Sequence, residues 1–384
     1  MKGSVKTTVL ALAMGATVSM TAVMPVSAGI FETLAGGAIS MAYVSTALNK
    51  MDNSPEGQAE SLAAAKERTG YLDDSAAQAR VQRVMNNLVN TPLVKRSYVV
   101  YANPSEEFNA FATLGRVMSV NKGALDLLDD DQLAYVMAHE IAHGENKDII
   151  NGAKKQVGVA TAAGLAGGGG SAILAGVAGN YLNNQVFTMS QEKKADELGF
   201  KILAESQYNL GGAPGSMAII RNKYGDRYSE GLGQVINPNN HPKTSNRVKE
   251  NIARMYAYSG NHVNVNESGA VFVNGDNIYT PAASGRYTGE ERSYYMAGKL
   301  ARLYHDNKVT PGSASYNGAT VTVAGQSIIT TPGSDVALMV ATNLNNAFVK
   351  TAPNAKAVKK ATNDKKANNT DKEKKVNNTS KKSS

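Results

Sequence analysis

The sequence predicts an α+β fold: a mainly helical domain with one small sheet, then a small C-terminal α+β domain of two strand–strand–helix units. Three observations carry this. Leu133, Val136, Met137 and Ile141 recur at helical spacing behind a capping signal. The stretch SYVVY, residues 97–101, is dense in β-branched and aromatic residues, the composition of a strand. The pattern V-x-V-x-G-x-x-I occurs in VFVNGDNIYTP (271–281) and again in VTVAGQSIITTP (321–332), and a helical pattern follows each copy.

The chain of 384 residues can bury one sizeable core and a smaller second one. Its first 28 residues read as a secretory signal: Lys2 and Lys6, an apolar run over 9–23, then PVSA with cleavage expected after Ala28. The competing reading is a membrane anchor, for which the run is short and rich in Ala and Thr. There is no Cys, so neither a disulfide nor the usual lipoprotein attachment is available. Core packing, with or without a bound metal, must hold the exported chain together. Residues 29–255 then form the larger domain and 256–349 the smaller.

The net charge of +8 belongs to the C-terminus. Residues 350–384 carry 11 Lys against Asp364, Asp371 and Glu373, so the rest of the chain is neutral. This Lys/Asn-rich tail has too little apolar surface to offset its ordering entropy and is expected to be disordered. It can meet an anionic envelope polymer or a lipid surface. It argues nothing for nucleic acid.

Taken in order, 30–88 is Ala-rich and helical, broken at DNSPEG. After the strand at 97–101 come NAF (109–111), a turn at Gly115 and a short strand through Val117 and Val120. A helix starts at LLDDDQLAYV, with Asp129 as N-cap and Gln132 three residues on, a capping-box spacing. Residues 157–179 are uncharged and rich in Gly and Ala. They have the length of a membrane span, but four successive glycines favour two short helices or a hairpin on the larger domain. A further helical pattern covers about 188–205. In the two repeats Ala297, Leu300 and Tyr304 match Ala341, Leu344 and Phe348 in spacing, and both helices are expected on one shared sheet.

The helix beginning at Asp129 carries HEIAH, residues 139–143. Positions four apart share a helix face, so the rings of His139 and His143 can converge on one metal ion, while Glu140 points about 100° away from His139, toward a water on that ion. A catalytic zinc needs a third protein ligand and an open fourth position. In QEKKADELG, Glu192 and Asp196 again stand four apart. Glu192 can be the third ligand, and Asp196 can accept the outer ring N–H of a ligating histidine. A histidine pair on a helix, and a solvated acidic pair on another, are the alternatives. His262 and His305 read as surface or domain-interface residues.

Four stretches together resemble the gluzincin zinc metallopeptidases that include the CAAX prenyl protease, the HtpX heat-shock protease and their secreted periplasmic relatives. They are NAF, VMSVNKGALDLLDDDQLAYVMAHEIAH, EKKADELG and HPKTSNR (241–247). The resemblance covers about 55–255 and implies a zincin-type fold, one Zn²⁺ on His139, His143 and Glu192, and Asp196 behind a ligand. It also implies Glu140 as general base and a substrate pairing with an open edge strand at Val117, Met118, Ser119 and Val120. His241 and Arg247 would then donate to the oxyanion or the substrate carbonyl. Alternatively, a neutral His241 would cap the metal and hold the enzyme off. The family commonly has Arg near Met189. The expected activity is an endopeptidase of the bacterial envelope acting on unfolded or misassembled exported polypeptides. The rival is a silent or self-inhibited zinc domain working as a chaperone or scaffold.

Overall fold

The computed structural model describes residues 41–162, 187–226 and 243–350. The expected signal, the Gly-rich run from 163 on, His241 and the basic tail beyond Lys350 lie outside the described residues. No described helix is long and apolar enough to cross a membrane.

Three helices come first among the described residues: α1 (Met41–Asn53), α2 (Pro55–Thr69) and α3 (Ser75–Val89). Ser54 and Asp74 cap the second and third through their side-chain oxygens, as short polar residues do at an N-cap. β1 (Val99–Asn103), β2 (Ala110–Thr113) and β3 (Val117–Asn121) form the first sheet, in the order β1-β3-β2. β3 is parallel to β1 and antiparallel to β2, and Gly115 turns between β2 and β3 at φ 72°.

This order corrects the expectation of an open edge at Val117, Met118, Ser119 and Val120. Those residues are paired on both sides and wholly buried. The outer strand beside the helical layer is β2, which carries Phe111 of the NAF stretch. The other neighbour of β3 is β1, which follows α3, a non-local pairing that the local run of valines does not encode.

After α4 (Lys122–Leu127) comes α5 (Asp130–Glu145), buried on all sides from Gln132 to Gly144. A helix apolar around its circumference belongs in the middle of a core. Its capping box is formed as the spacing predicts: Gln132 N donates to Asp129 Oδ1 (2.9 Å) and Asp129 N to Gln132 Oε1 (3.0 Å). At the other end Arg96 donates to Gly144 O (2.8 Å) and pairs with Asp52 of α1. Tyr98 OH bonds Glu145 (2.9 Å).

Around α5 stand α6 (Asp148–Ala162), α7 (Met189–Glu205), α8 (Gly212–Tyr224) and α9 (Thr244–Tyr258). α9 runs through the boundary expected at 255. The C-terminal region has two units: β4 (Val263–Val265), β5 (Val271–Val273), β6 (Asp276–Tyr279) and α10 (Gly289–His305), then β7 (Ala314–Asn317), β8 (Thr320–Val323), β9 (Gln326–Thr330) and α11 (Ser334–Phe348). Both hairpins and both helices fall where the repeat predicts them. Each unit gains one strand, β4 or β7, and keeps its own antiparallel sheet, so the shared sheet is not formed. Instead α10 packs on β4 and β5 and reaches β9, while α11 packs on β7 and β8 and reaches β6. The buried residues of both regions, from Val81 to Phe348, make one continuous core. His262 stacks on Tyr304 and His305 on Tyr258.

Beside the cap of α5, Asp131 accepts from Asn209 N at 2.9 Å. Burial pushes its carboxyl up to about 6 against that bond, and the charge of Asp129 adds to the rise. A raised carboxyl binds its proton more tightly in the folded state. Its contribution to stability is therefore greatest below about pH 4 and declines until about pH 6. Asp131→Asn should match the parent in thermal unfolding at pH 4 and exceed it at pH 7, by on the order of 1 kcal/mol or a few degrees. A gap that shrinks with pH would contradict this.

Candidate metal centre

Two antiparallel capping signals aim the site. Asp129 starts α5, and Thr188 starts α7 with Gln191 completing a second capping box. The helices cross where Gly199 lies against His139. A Cβ on Gly199 would sit 3.0 Å from both the Cα and N of His139. The close approach brings Glu192, two turns earlier on α7, over the histidine pair. Gly199→Ala must push backbone against backbone, costing about 1–3 kcal/mol. We expect a lower thermal midpoint and weaker zinc retention in chelator competition; unchanged retention would show that the crossing tolerates a methyl.

His139 Nε2 and His143 Nε2 lie 3.1 Å apart, and the carboxylate of Glu192 lies 3.7 Å from the first and 3.6 Å from the second. Tetrahedral ligands about 2.0–2.1 Å from a zinc ion are roughly 3.3 Å from one another, so the donor set fits such an ion. Exposures are 1% for His139, 0% for His143, 2% for Glu192 and 4% for Glu140. Among the described residues this is the group with ligand atoms so placed.

Each ring is held from behind. His139 Nδ1 faces Asp196 Oδ1 at 3.0 Å and His143 Nδ1 faces Asp148 Oδ2 at 2.9 Å, so both outer nitrogens can donate while both Nε2 atoms point inward. Burial is the largest influence and works against a charge on His139, but the bond and charge of Asp196 together with the charge of Glu192 outweigh it, and the ring is raised to about 9. A pocket that favours a proton on this ring also favours a cation beside it. Asp196 stands behind a candidate ligand. Burial opposes its charge, yet Arg247 and His139 hold it far below the usual carboxylate range.

Arg247 is where the expectation changes. Its Nε and Nη2 donate to Asp196 at 3.0 and 2.5 Å, and Nη2 lies 3.3 Å from His139 Nδ1. It braces the carboxylate that supports His139 from behind the ring, opposite the inward Nε2. Tyr135 OH also donates to Asp196 (3.0 Å) and accepts from Asn251 Nδ2 (3.1 Å).

Asp148, Gln191 and Phe187 were not singled out by sequence. Gln191 Nε2 donates to Asp148 Oδ1 at 2.9 Å while its Oε1 accepts from Thr188 N, tying the Glu192 helix to the support of His143. Phe187 stacks on the His143 ring, 3.8 Å between centroids at 13°. Met189, near which the resembled family commonly has Arg, is exposed, and the Gln191 bridge steadies the start of α7 instead. The available signal for Asp148 was an acidic residue in the first turn of the helix after HEIAH.

Glu140 lies on the β2 side of α5. Its Oε2 accepts from Ala112 N at 3.0 Å. Burial raises its carboxyl, opposed by the two imidazoles and the Ala112 N–H. A carboxylate beside a candidate metal and a strand edge can exchange a proton with whatever binds there.

A mainly helical domain with this donor set is the architecture of a metallopeptidase, and comparison with known proteins agrees. Residues 72–254 match the model of peptidase family M48, and the chain carries a domain of that family. It is 28% identical over 178 residues to a putative beta-barrel assembly-enhancing protease of Vibrio cholerae serotype O1, covering 43% of this chain and 36% of that protein. A protease HtpX homolog of Desulfatibacillum aliphaticivorans is 43% identical over 77 residues, 19% of this chain and 23% of the relative. One from Salinibacter ruber is 50% identical over 52 residues, 12% and 18% respectively. The chain thus spans well under half the length of these curated relatives.

Proposed function

We propose that this protein is a zinc-dependent endopeptidase that hydrolyses peptide bonds in exported, unfolded or misassembled polypeptides of a bacterial envelope. The observation that carries the reading is the convergence of His139, His143 and Glu192 with Glu140 alongside and each histidine backed by a carboxylate. The name of the Vibrio relative supports an envelope substrate. The basic tail is the part we assign to anionic envelope surfaces.

His139, His143 and Glu192 would hold one Zn²⁺, whose Lewis acidity lowers the pKa of a water and polarises the scissile carbonyl. Glu140 takes the water's proton as that water attacks, then delivers it to the leaving amine. Its raised affinity for a proton suits both halves of this exchange. The substrate backbone lies along β2, as an added strand whose register presents the scissile bond to Glu140. Asp196 and Asp148 keep each ring in the tautomer that leaves Nε2 as a donor to the metal.

The test is zinc content together with cleavage of an unfolded protein such as casein. One zinc per chain, cleavage lost on chelation and restored by zinc, is the expected result. The rival reading, a zinc domain serving as a chaperone or scaffold, predicts zinc without cleavage. Absence of zinc in protein prepared with it would remove both.

A further inference from the structure

We propose that helix α10 of the first C-terminal unit positions the metal-binding turn of α5, with Glu291 and Tyr295 as positioning residues. The proposal rests on the reading of the triad as a zinc site. Two capping boxes interlock here. Gln132 closes the box of α5, and its remaining amide group, Nε2, donates to Glu291 Oε1 at 2.9 Å. Glu291 closes the box of α10, its Oε2 accepting from Thr288 N and Oγ1, both at 2.9 Å. Gln132 and Glu291 are both buried. Tyr295 OH donates to the other oxygen of the cap, Asp129 Oδ2, and Tyr295 O accepts from Asn209 Nδ2 (3.1 Å). Asn209 N in turn bonds Asp131.

The lever is short. Gln132 precedes His139 by seven residues, two turns or about 10 Å, so both lie on one face of a rigid rod. A 20° rotation of α5 would carry a side-chain tip about 6 Å off the axis through roughly 2 Å. Metal and catalytic groups tolerate about 0.5 Å. Bonds that stop axial rotation at the first turn therefore set where His139 and Glu140 point.

The second unit shows that this is a specialisation of the first copy. In the spacing that matches Ala297 and Leu300 to Ala341 and Leu344, Glu291 and Tyr295 correspond to Asp335 and Met339. Both of these are exposed on α11.

The test is a reciprocal exchange in the full chain. In Gln132→Glu the new carboxylate still accepts from Asp129 N, so the α5 cap survives, but it now faces the carboxylate of Glu291. Adding Glu291→Gln restores the bond with its donor reversed, and the new amide oxygen still accepts from Thr288. We expect the single variant to lose zinc affinity about tenfold or more in chelator competition. It should also exchange amide protons faster across 130–145 and lose kcat with KM unchanged. The double variant should recover all three to within about threefold. Tyr295→Phe, a milder cut, should move the same readouts in the same direction and decides the matter if Gln132→Glu does not fold. A folded single variant with parental affinity and exchange, or a double no better than the single, overturns the proposal. A parent that binds no zinc overturns the functional reading instead, and the exchange pattern alone then decides the lock.

Discussion

Glu140→Gln should keep the zinc stoichiometry of the parent and lose peptide hydrolysis by at least three orders of magnitude. The amide is isosteric, and the other bonds of the pocket are untouched. One of its atoms can still accept from Ala112 N, so the strand and helix stay in register. What disappears is the capacity to take a proton from water and return it to the leaving nitrogen, a contribution of about 10²–10⁴-fold for the general base alone and more where the same group acts twice. Elemental analysis beside casein cleavage separates the two properties. Hydrolysis retained in a zinc-loaded variant would remove Glu140 from the mechanism.

Arg247→Met should be the most damaging change outside the triad. Asp196 has no exposure and receives the guanidinium, the Tyr135 hydroxyl and the His139 ring. Removing the cation strands a buried carboxylate, which typically costs about 3–5 kcal/mol. The expected result is a thermal midpoint lower by about 10 °C and a zinc affinity that falls with it, because an Asp196 pushed toward protonation no longer orients His139. The alternative assignment, Arg247 as a donor to substrate, predicts a different pattern: normal stability and zinc content, with only kcat reduced. Calorimetry and metal analysis on one preparation distinguish them.

Much of this arrangement was legible because its signals are local. The two capping boxes lie within four residues each, and Asp129 with Gln132 and Thr188 with Gln191 start their helices where those residues stand. HEIAH and E-x-x-x-D fix which side chains share a face. The repeat located both C-terminal hairpins because glycine sits at their turns, Gly275 and Gly325 both having positive φ. What escaped was relational. Valines 117 and 120 mark a strand but not its neighbours, and the parallel partner β1 stands earlier in the chain, with β2 in between. The bonds of Arg247 to Asp196 depend on how α9 crosses α7, which no local pattern states. Asp148 looked like an ordinary acidic residue at a helix start, which it also is.

The two histidines differ in how far their support lies along the chain. His143 finds Asp148 five residues away, across the left-handed turn at Lys147, whereas His139 depends on Asp196 and on Arg247, 108 residues on. Contacts so unequal in sequence separation form at different times: the near pair can assemble as soon as the helix turn exists, and the far one waits for loop closure. The chain would therefore carry half of its candidate metal site early and complete it last. An ion that needs both histidines would then be held only once folding is finished.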